Sequence, residues 1–252
     1  MSKRVWRRTG GARALAARNV PRETSPEEEL ARIRDLLQRL HLAWDEAIEE
    51  RWRHYLRLFQ QWSERTNLVS RRDRDQWVRR HVFPSLALLE VVGFPSACRI
   101  ADVGSGAGFP GLPLALCRPD CQFFLIEPRR WRALFLQEVR EELGLRHVEV
   151  IVARAETPEV RERLGRRCHF VVARAVADLV RLWGWSSPLL LKGGELLAYK
   201  GLADAEAEAE RLRVRAADLD VAFLSVPSLE GTVIVRVRRV GEEDAKPTAK
   251  TG

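Results

Sequence analysis

The stretch of this chain best suited to chemistry is Asp102, Val103, Gly104, Ser105, Gly106, Ala107 and Gly108. It completes a short apolar run that begins at Cys98 and leads into a helical stretch opened by Pro110. Glycines at such a junction let the backbone turn sharply and approach a ligand closely, which a Cβ would obstruct. A second apolar run, Gln122 to Glu127, ends on a carboxylate 25 residues after Asp102. A carboxylate there can accept hydrogen bonds from both hydroxyls of an adenosine ribose, while Asp102 can fix the loop or face the other end of the ligand.

Gly106, Gly108 and Gly111 also satisfy the spacing of the dinucleotide fingerprint of NAD-dependent dehydrogenases. Position argues against that reading. In the dehydrogenase pattern the first glycine closes the strand, whereas here Asp102 precedes the glycines and Gly104 already opens the turn.

The elements that must hold these residues follow from periodicity. Short apolar runs at Cys98 to Val103, Gln122 to Glu127, His147 to Val152, Cys168 to Ala173 and Glu195 to Tyr199 alternate with helical stretches, the pattern of a parallel sheet with crossover helices. Val221 to Val226 and Thr232 to Val237 lie too close together for a crossover helix and predict an antiparallel hairpin. The fold expected is α/β and Rossmann-like: a seven-stranded, mostly parallel sheet with a C-terminal hairpin, the arrangement of the class I methyltransferases. Upstream, Ser25, Pro26 and Glu28 form a helix-start signature. Two amphipathic helices should follow, carrying Leu30, Ile33, Leu36, Leu37 and Leu40, then Ile48, Trp52, Tyr55, Leu56, Phe59 and Trp62. The organisation expected is a disordered basic arm over 1–24, a helical extension over 25–96, the cofactor domain over 97–240 and a polar tail over 241–252.

Composition narrows the class. With 252 residues, 46% of them hydrophobic, the chain can bury a large core. No apolar run is long enough for a membrane span. Four cysteines (Cys98, Cys117, Cys121 and Cys168) are too few and too irregular for a disulfide framework, so a reducing cytoplasm is expected. No second pair stands at ligand spacing from Cys117 and Cys121, and no metal is expected. The net charge of +8 favours an anionic partner, although 38 of the 43 basic residues being arginine is a usage that genome composition can also produce. The first 22 residues hold seven of these bases and no acid, a pattern shared by nucleic-acid-binding arms and organelle transit peptides.

From Trp52 to Val237 the chain resembles the RsmG (GidB) family, the bacterial guanine-N7 methyltransferases of 16S ribosomal RNA. The resemblance is carried by Asp102 to Gly108 continued by Phe109-Pro110-Gly111-Leu112-Pro113, then by Arg118-Pro119, Arg154-Ala155-Glu156, Arg174-Ala175-Val176-Ala177 and Lys200-Gly201. Trp62, Asn67-Leu68, His81 and Ser85-Leu86 match in outline. Departures stand at Pro84, where the family usually has Asp, at Ser63 after Trp62, and at Gly231-Thr232 in place of Arg-His. The resemblance implies S-adenosyl-L-methionine as cofactor, held by Gly104, Gly106, Phe109, Glu127, Ala155, Glu156 and Arg174. It also implies a guanine of the 530 loop in 16S rRNA or the small ribosomal subunit as acceptor, and a monomeric cytoplasmic enzyme. A non-catalytic rRNA-binding or ribosome-assembly factor retaining the fold is the alternative that the departures raise; a small-molecule methyltransferase would leave the arginine excess without a role.

Guanine N7 already carries an in-plane lone pair, so attack on a sulfonium methyl needs no prior loss of a proton and no general base. Arg174 and Lys200 are then the candidate catalytic residues, acting by charge: Arg174 on the cofactor carboxylate or a phosphate, Lys200 at the carboxyl end of a strand. Ala155 is small enough to lie beside an adenine; Glu156 can accept from the adenine amino group or cap the helix at Pro158. Phe109, Trp183 and Trp185 are candidates for stacking on a base or for the core. Arg71, Arg72, Arg74, Arg79 and Arg80 on one flank and Arg129, Arg130 and Arg132 on the other can contact phosphates without reading bases.

Overall fold

The computed structural model of the chain describes residues 25–241; the expected basic arm and nearly all of the polar tail lie outside the described residues. The chain enters through α1 (Pro26–Arg39). Ser25 Oγ accepts from the Glu28 N–H and Glu28 reaches back to the Ser25 N–H, completing the capping box expected there. Asp45 caps α2 (Glu46–Arg65) by accepting the Ile48 N–H on Oδ1 at 2.8 Å. A π-helical turn, Val78–Val82, then runs into the short α3 (Phe83–Ala87).

The remainder alternates: β1 (Arg99–Val103), α4 (Gly111–Cys117), β2 (Gln122–Ile126), α5 (Arg130–Glu142), β3 (Val148–Ile151), α6 (Pro158–Leu164), β4 (Cys168–Arg174), α7 (Leu179–Ser186), β5 (Leu190–Gly201), α8 (Leu202–Arg215), β6 (Leu219–Ser225) and β7 (Thr232–Arg239). The seven strands form one sheet in the order β3-β2-β1-β4-β5-β7-β6, parallel except where β7 pairs antiparallel with both β5 and β6. All seven expected strands are present. The fifth is longer than the expected Glu195 to Tyr199: Cys168 faces Leu190 but Phe170 faces Glu195, so residues 191–194 bulge outward and the strand continues beyond them. Gly193 and Gly194, which punctuate the sequence like a strand start, make that bulge possible.

Strand side chains alternate between two cores. Ile100, Phe123, Leu125, Val172 and Leu197 face the layer of α1 to α5; Ala101, Phe124, Ile126, Val171 and Leu196 face α6 to α8. The helical extension has no separate core of its own. Leu30, Ile33, Trp52, Tyr55 and Phe59 belong to the same buried cluster as Phe135 of α5 and Ile100 of β1. Phe59 is its hub, stacked on Trp77 at 3.7 Å between ring centroids and edge-on to Phe135 at 5.7 Å. Among the described residues no helix is long and apolar enough to cross a membrane.

Phe59→Ala should therefore cost about 3–5 kcal/mol, the usual range for removing a buried aromatic ring. Because the ring bridges extension and sheet layer, urea denaturation should show one transition shifted as a whole. A separate early transition for the extension, with the rest unmoved, would contradict a shared core.

Candidate cofactor and substrate site

The sheet order reverses between β1 and β4, where chains leaving the two carboxyl ends diverge to opposite faces and open a crevice. The glycine loop sits in that crevice, held by two buried carboxylates. Asp102, fully buried at the end of β1, accepts the Gly111 N–H on Oδ2 at 2.9 Å, tying the loop to the first residue of α4. Glu127, just beyond β2, accepts the Gly106 N–H on Oε2 at 2.8 Å and the Arg129 N–H on Oε1 at 2.9 Å. Gly104 and Gly106 have φ of +72° and +57°, the left-handed region in which a side chain is strained. At Gly106 an added Cβ would meet only Arg132 Nη1 at 3.5 Å and the Gly104 carbonyl at 3.8 Å, so that side of the loop is open to a ligand. At Gly104 the space is taken by Val176 from the loop after β4.

Two buried polar atoms beside this loop have no hydrogen-bond partner: Asp102 Oδ1 and Arg132 Nε. A native interior rarely leaves such atoms unpaired without a ligand, an ion or water to meet them. Burial pushes the Asp102 carboxyl up to about 7, against the Gly111 N–H, which favours the ionised form. Glu127 keeps acceptor capacity despite its two backbone partners, since each carboxylate oxygen has two lone pairs. The residues present thus fit a ligand bearing ribose hydroxyls at Glu127 and a polar group near Asp102. Ala155, also buried, follows β3.

The other expected residues are placed differently. Phe109 turns away from the crevice into the extension, stacked on His81 at 5.1 Å and tilted against Phe59 at 5.6 Å, so its side chain is core and only its backbone belongs to the loop. Trp183 is buried in the opposite core and Trp185 packs against it. Glu156 does not cap α6; Thr157 is the N-cap residue, and Glu156 lies 3.8 Å from Arg154. Lys200 is largely buried. Its Nζ donates to the Ala177 carbonyl and pairs with Glu208 at 2.8 Å, while Glu208 also accepts the Leu179 N–H. Lys200 thereby anchors the loop after β4 rather than projecting as a free charge.

Arg174, at the end of β4, donates from Nη1 to the His81 carbonyl at 3.2 Å and from Nη2 to the Arg80 carbonyl. Both acceptors lie in the π-helical turn, where the widened backbone frees carbonyls that an α-helix would consume. The His81 carbonyl also accepts from Ser85 Oγ at 2.6 Å, and Tyr199 donates to the Ser85 carbonyl at 3.1 Å. Burial and the neighbouring Arg174 guanidinium push the His81 imidazole down to about 4, outweighing the opposing pull of Asp73 3.6 Å away. His81 is therefore neutral at pH 7. The π-turn, Ser85 and Tyr199 form a network that the sequence alone did not reveal.

Beside the loop an open cleft of about 430 Å³ lies at the ends of β4 and β5, lined by Arg174, Ala175, Val176, Tyr199, Gly201 and Thr232 among others. Ala175 holds a φ of +55°, which a non-glycine residue adopts only where its surroundings impose it. Thr232, one of the departures from the family pattern, is on the wall of this cleft. Arg71, Arg72, Arg74, Arg79 and Arg80 are exposed on the extension; Arg80 pairs with Asp73 at 2.6 Å. No group of three or more metal-ligating side chains occurs among the described residues.

The raised Asp102 carboxyl makes a pH prediction. The folded protein keeps the proton up to about pH 7 while the unfolded chain releases it near 4, so this group's contribution to stability is complete below pH 4 and is lost as pH rises toward 7. Between pH 5 and pH 8 the wild type should lose about 2 to 3 kcal/mol relative to Asp102→Asn, which retains an acceptor for Gly111 but does not titrate. Urea denaturation at the two pH values measures the difference; parallel behaviour of the two proteins would show that Asp102 is ionised when buried.

Comparison with known proteins identifies the family. Residues 48–235 match the family model described as rRNA small subunit methyltransferase G. Proteins named ribosomal RNA small subunit methyltransferase G are similar along most of the chain. That of Mycobacterium sp. strain KMS is 44% identical over 182 residues, covering 72% of this chain and 74% of its own. That of Mycobacterium leprae strain TN is 42% identical over 177 residues, covering 69% and 71%. Among solved structures, a SAM-dependent methyltransferase from Aquifex aeolicus superposes with a TM-score of 0.52 at 17% identity, over 64% of this chain and 92% of that one. A protein described as a predicted O-methyltransferase from Agrobacterium tumefaciens gives 0.50 at 20% identity, over 62% and 80%. These two share the fold. The match of the family model to most of the chain, together with relatives above 40% identity, places the protein in the rRNA small subunit methyltransferase G family.

Proposed function

We propose that the protein is an S-adenosyl-L-methionine-dependent methyltransferase that methylates N7 of a guanine in the 530 loop of 16S rRNA, working as a monomer in the bacterial cytoplasm. The observation that carries this reading is the loop from Asp102 to Gly111, clamped by two carboxylates and lying inside the region that matches the rRNA methyltransferase family. In this reading Glu127 receives the ribose, Gly104, Gly106 and the Phe109 backbone pass beneath the cofactor, and Ala155 and Glu156 flank the adenine. Asp102 and Arg174 stand toward its amino-acid end.

Bound S-adenosylmethionine supplies an activated methyl group. The chain's own work is to bind, orient and exclude water, which can lower a barrier by roughly 7 to 11 kcal/mol. Arg174 does so by fixing the π-helical turn against β4, Lys200 by fixing the loop from Ala175 to Ala177 against α8. The neutral His81 and the absence, among the described residues, of an exposed acid–base pair at the loop suit an acceptor nitrogen that needs no deprotonation. Exposed arginines on the extension would hold RNA phosphates at the cleft mouth, a positioning contact that carries no sequence information.

Gly106→Val is expected to leave folding intact and to abolish binding of S-adenosylhomocysteine in a titration calorimeter, because a branched side chain there enters the open side of the loop. Normal binding would mean that the ligand passes elsewhere.

The acceptor is tested with labelled S-adenosylmethionine and small subunits from cells lacking such an enzyme, followed by borohydride and aniline cleavage to map N7-methylguanine. Cleavage at a single guanine of the 530 loop is expected. Cofactor binding without transfer to subunits or naked RNA would instead identify an assembly factor, and methylation at another base atom would overturn the N7 assignment.

A further inference from the structure

The sulfurs of Cys98 and Cys121 lie 3.2 Å apart at the end of the sheet opposite the glycine loop. Neither residue belongs to the site described above, and both are buried. Their backbones are fixed side by side. Arg99 faces Gln122 at the start of the β1–β2 ladder, and the Gln122 N–H donates to the Cys98 carbonyl at 2.8 Å, so Cys98 and Cys121 stand opposite each other one step before it. The Ala97 N–H donates to the Asp120 carbonyl at 3.0 Å and holds the same register one residue further out. Neighbouring strands run about 4.8 Å apart, inside the ~4.4–6.8 Å between Cα atoms that a disulfide spans. The Cys98 thiol points at the Cys121 sulfur, so closing the bond needs side-chain rotation and little movement of the chain.

We propose that Cys98 and Cys121 are a reversible disulfide pair, closed by hydrogen peroxide and opened by a dithiol. The two residues differ in a way that assigns their parts. Cys121 accepts the hydrogen bond from Cys98 and has the Arg118 guanidinium nearby, both of which favour its thiolate against the opposing effects of burial and Asp120, whereas donation to Cys121 and burial disfavour ionisation of Cys98. The Cys121 thiolate attacks one peroxide oxygen and breaks the O–O bond; the departing oxygen leaves as water after taking a proton, and Cys121 becomes a sulfenic acid. Cys98 then gives up its proton, its sulfur displaces the hydroxyl from Cys121, and the second water leaves as the S–S bond forms. Two thiols are oxidised by two electrons and one peroxide is reduced to two waters.

The bond would close a loop that contains β1, the whole glycine loop and α4. It restricts the unfolded chain over the segment that builds the cofactor site, while the site itself lies at the far ends of the same strands. The expected effect is a protein that resists unfolding under oxidative stress and still binds its cofactor.

The test begins with the reduced full-length protein, exposed natively to hydrogen peroxide, quenched, and titrated for thiols in denaturant. Two of the four thiols should be lost. Mass spectrometry should place the cross-link between Cys98 and Cys121, dithiothreitol should restore both, and the oxidised protein should melt about 5 °C higher or more. Cys98→Ser should form no cross-link and should leave a sulfenic acid on Cys121 that dimedone traps; Cys117→Ser should cross-link as the wild type does. Binding of S-adenosylhomocysteine should change less than twofold, which separates this proposal from the methyltransferase reading. Retention of all four thiols, or a cross-link through Cys117 or Cys168, would overturn it.

Discussion

Two carboxylates hold the glycine loop, and the rest of the molecule is arranged around that constraint. Asp102 lies near the end of β1 and Glu127 just beyond the adjacent β2, and their oxygens take the amide protons of Gly111 and Gly106. A loop with three glycines at positive φ is costly to order. Charged or strongly polar acceptors on a rigid sheet are the means of ordering it, since hydrogen bonds to such groups are stronger than those between neutral partners. Burial of Asp102 has its own cost, visible in its reluctance to ionise. That cost is typical of a site in which local stability is given up for a binding surface.

The helical extension supports this loop from behind. Phe109 leaves the loop to enter the aromatic cluster of Phe59, Trp77 and His81, so the position of the loop is coupled to α2 and to the π-helical turn. Arg174 closes the same circuit from β4 by holding two carbonyls of that turn. The π-helical turn, the glycine loop and the end of β4 therefore share one packed framework.

Local patterning was enough to read the sheet and the loop. The alternation of short apolar runs with helical stretches placed all seven strands, and the hairpin followed from the short span between Val226 and Thr232. The place of Glu127 beside the loop was legible because it depends on strand ends alone. What escaped depends on partners far along the chain. Phe109 is core because Phe59, Trp77 and His81 arrive from tens of residues upstream; nothing near position 109 announces them. Lys200 reads as a free cation until α8 brings Glu208 to it. Arg174 reads as an anion ligand until the π-turn presents carbonyls, and that turn has no signal in a period of 3.6. The Cys98 and Cys121 pair was hidden for the same reason, because only strand register brings the two together.

A loop held by Asp102 and Glu127 that takes an adenosyl thioether or sulfonium ligand should not take a dinucleotide. Titration calorimetry of the wild-type protein with S-adenosylhomocysteine and, separately, with NAD tests it directly. Saturable one-to-one binding of the thioether, lost in Glu127→Ala, is expected, with no heat of binding from NAD. Tight binding of NAD with none of the thioether would contradict it.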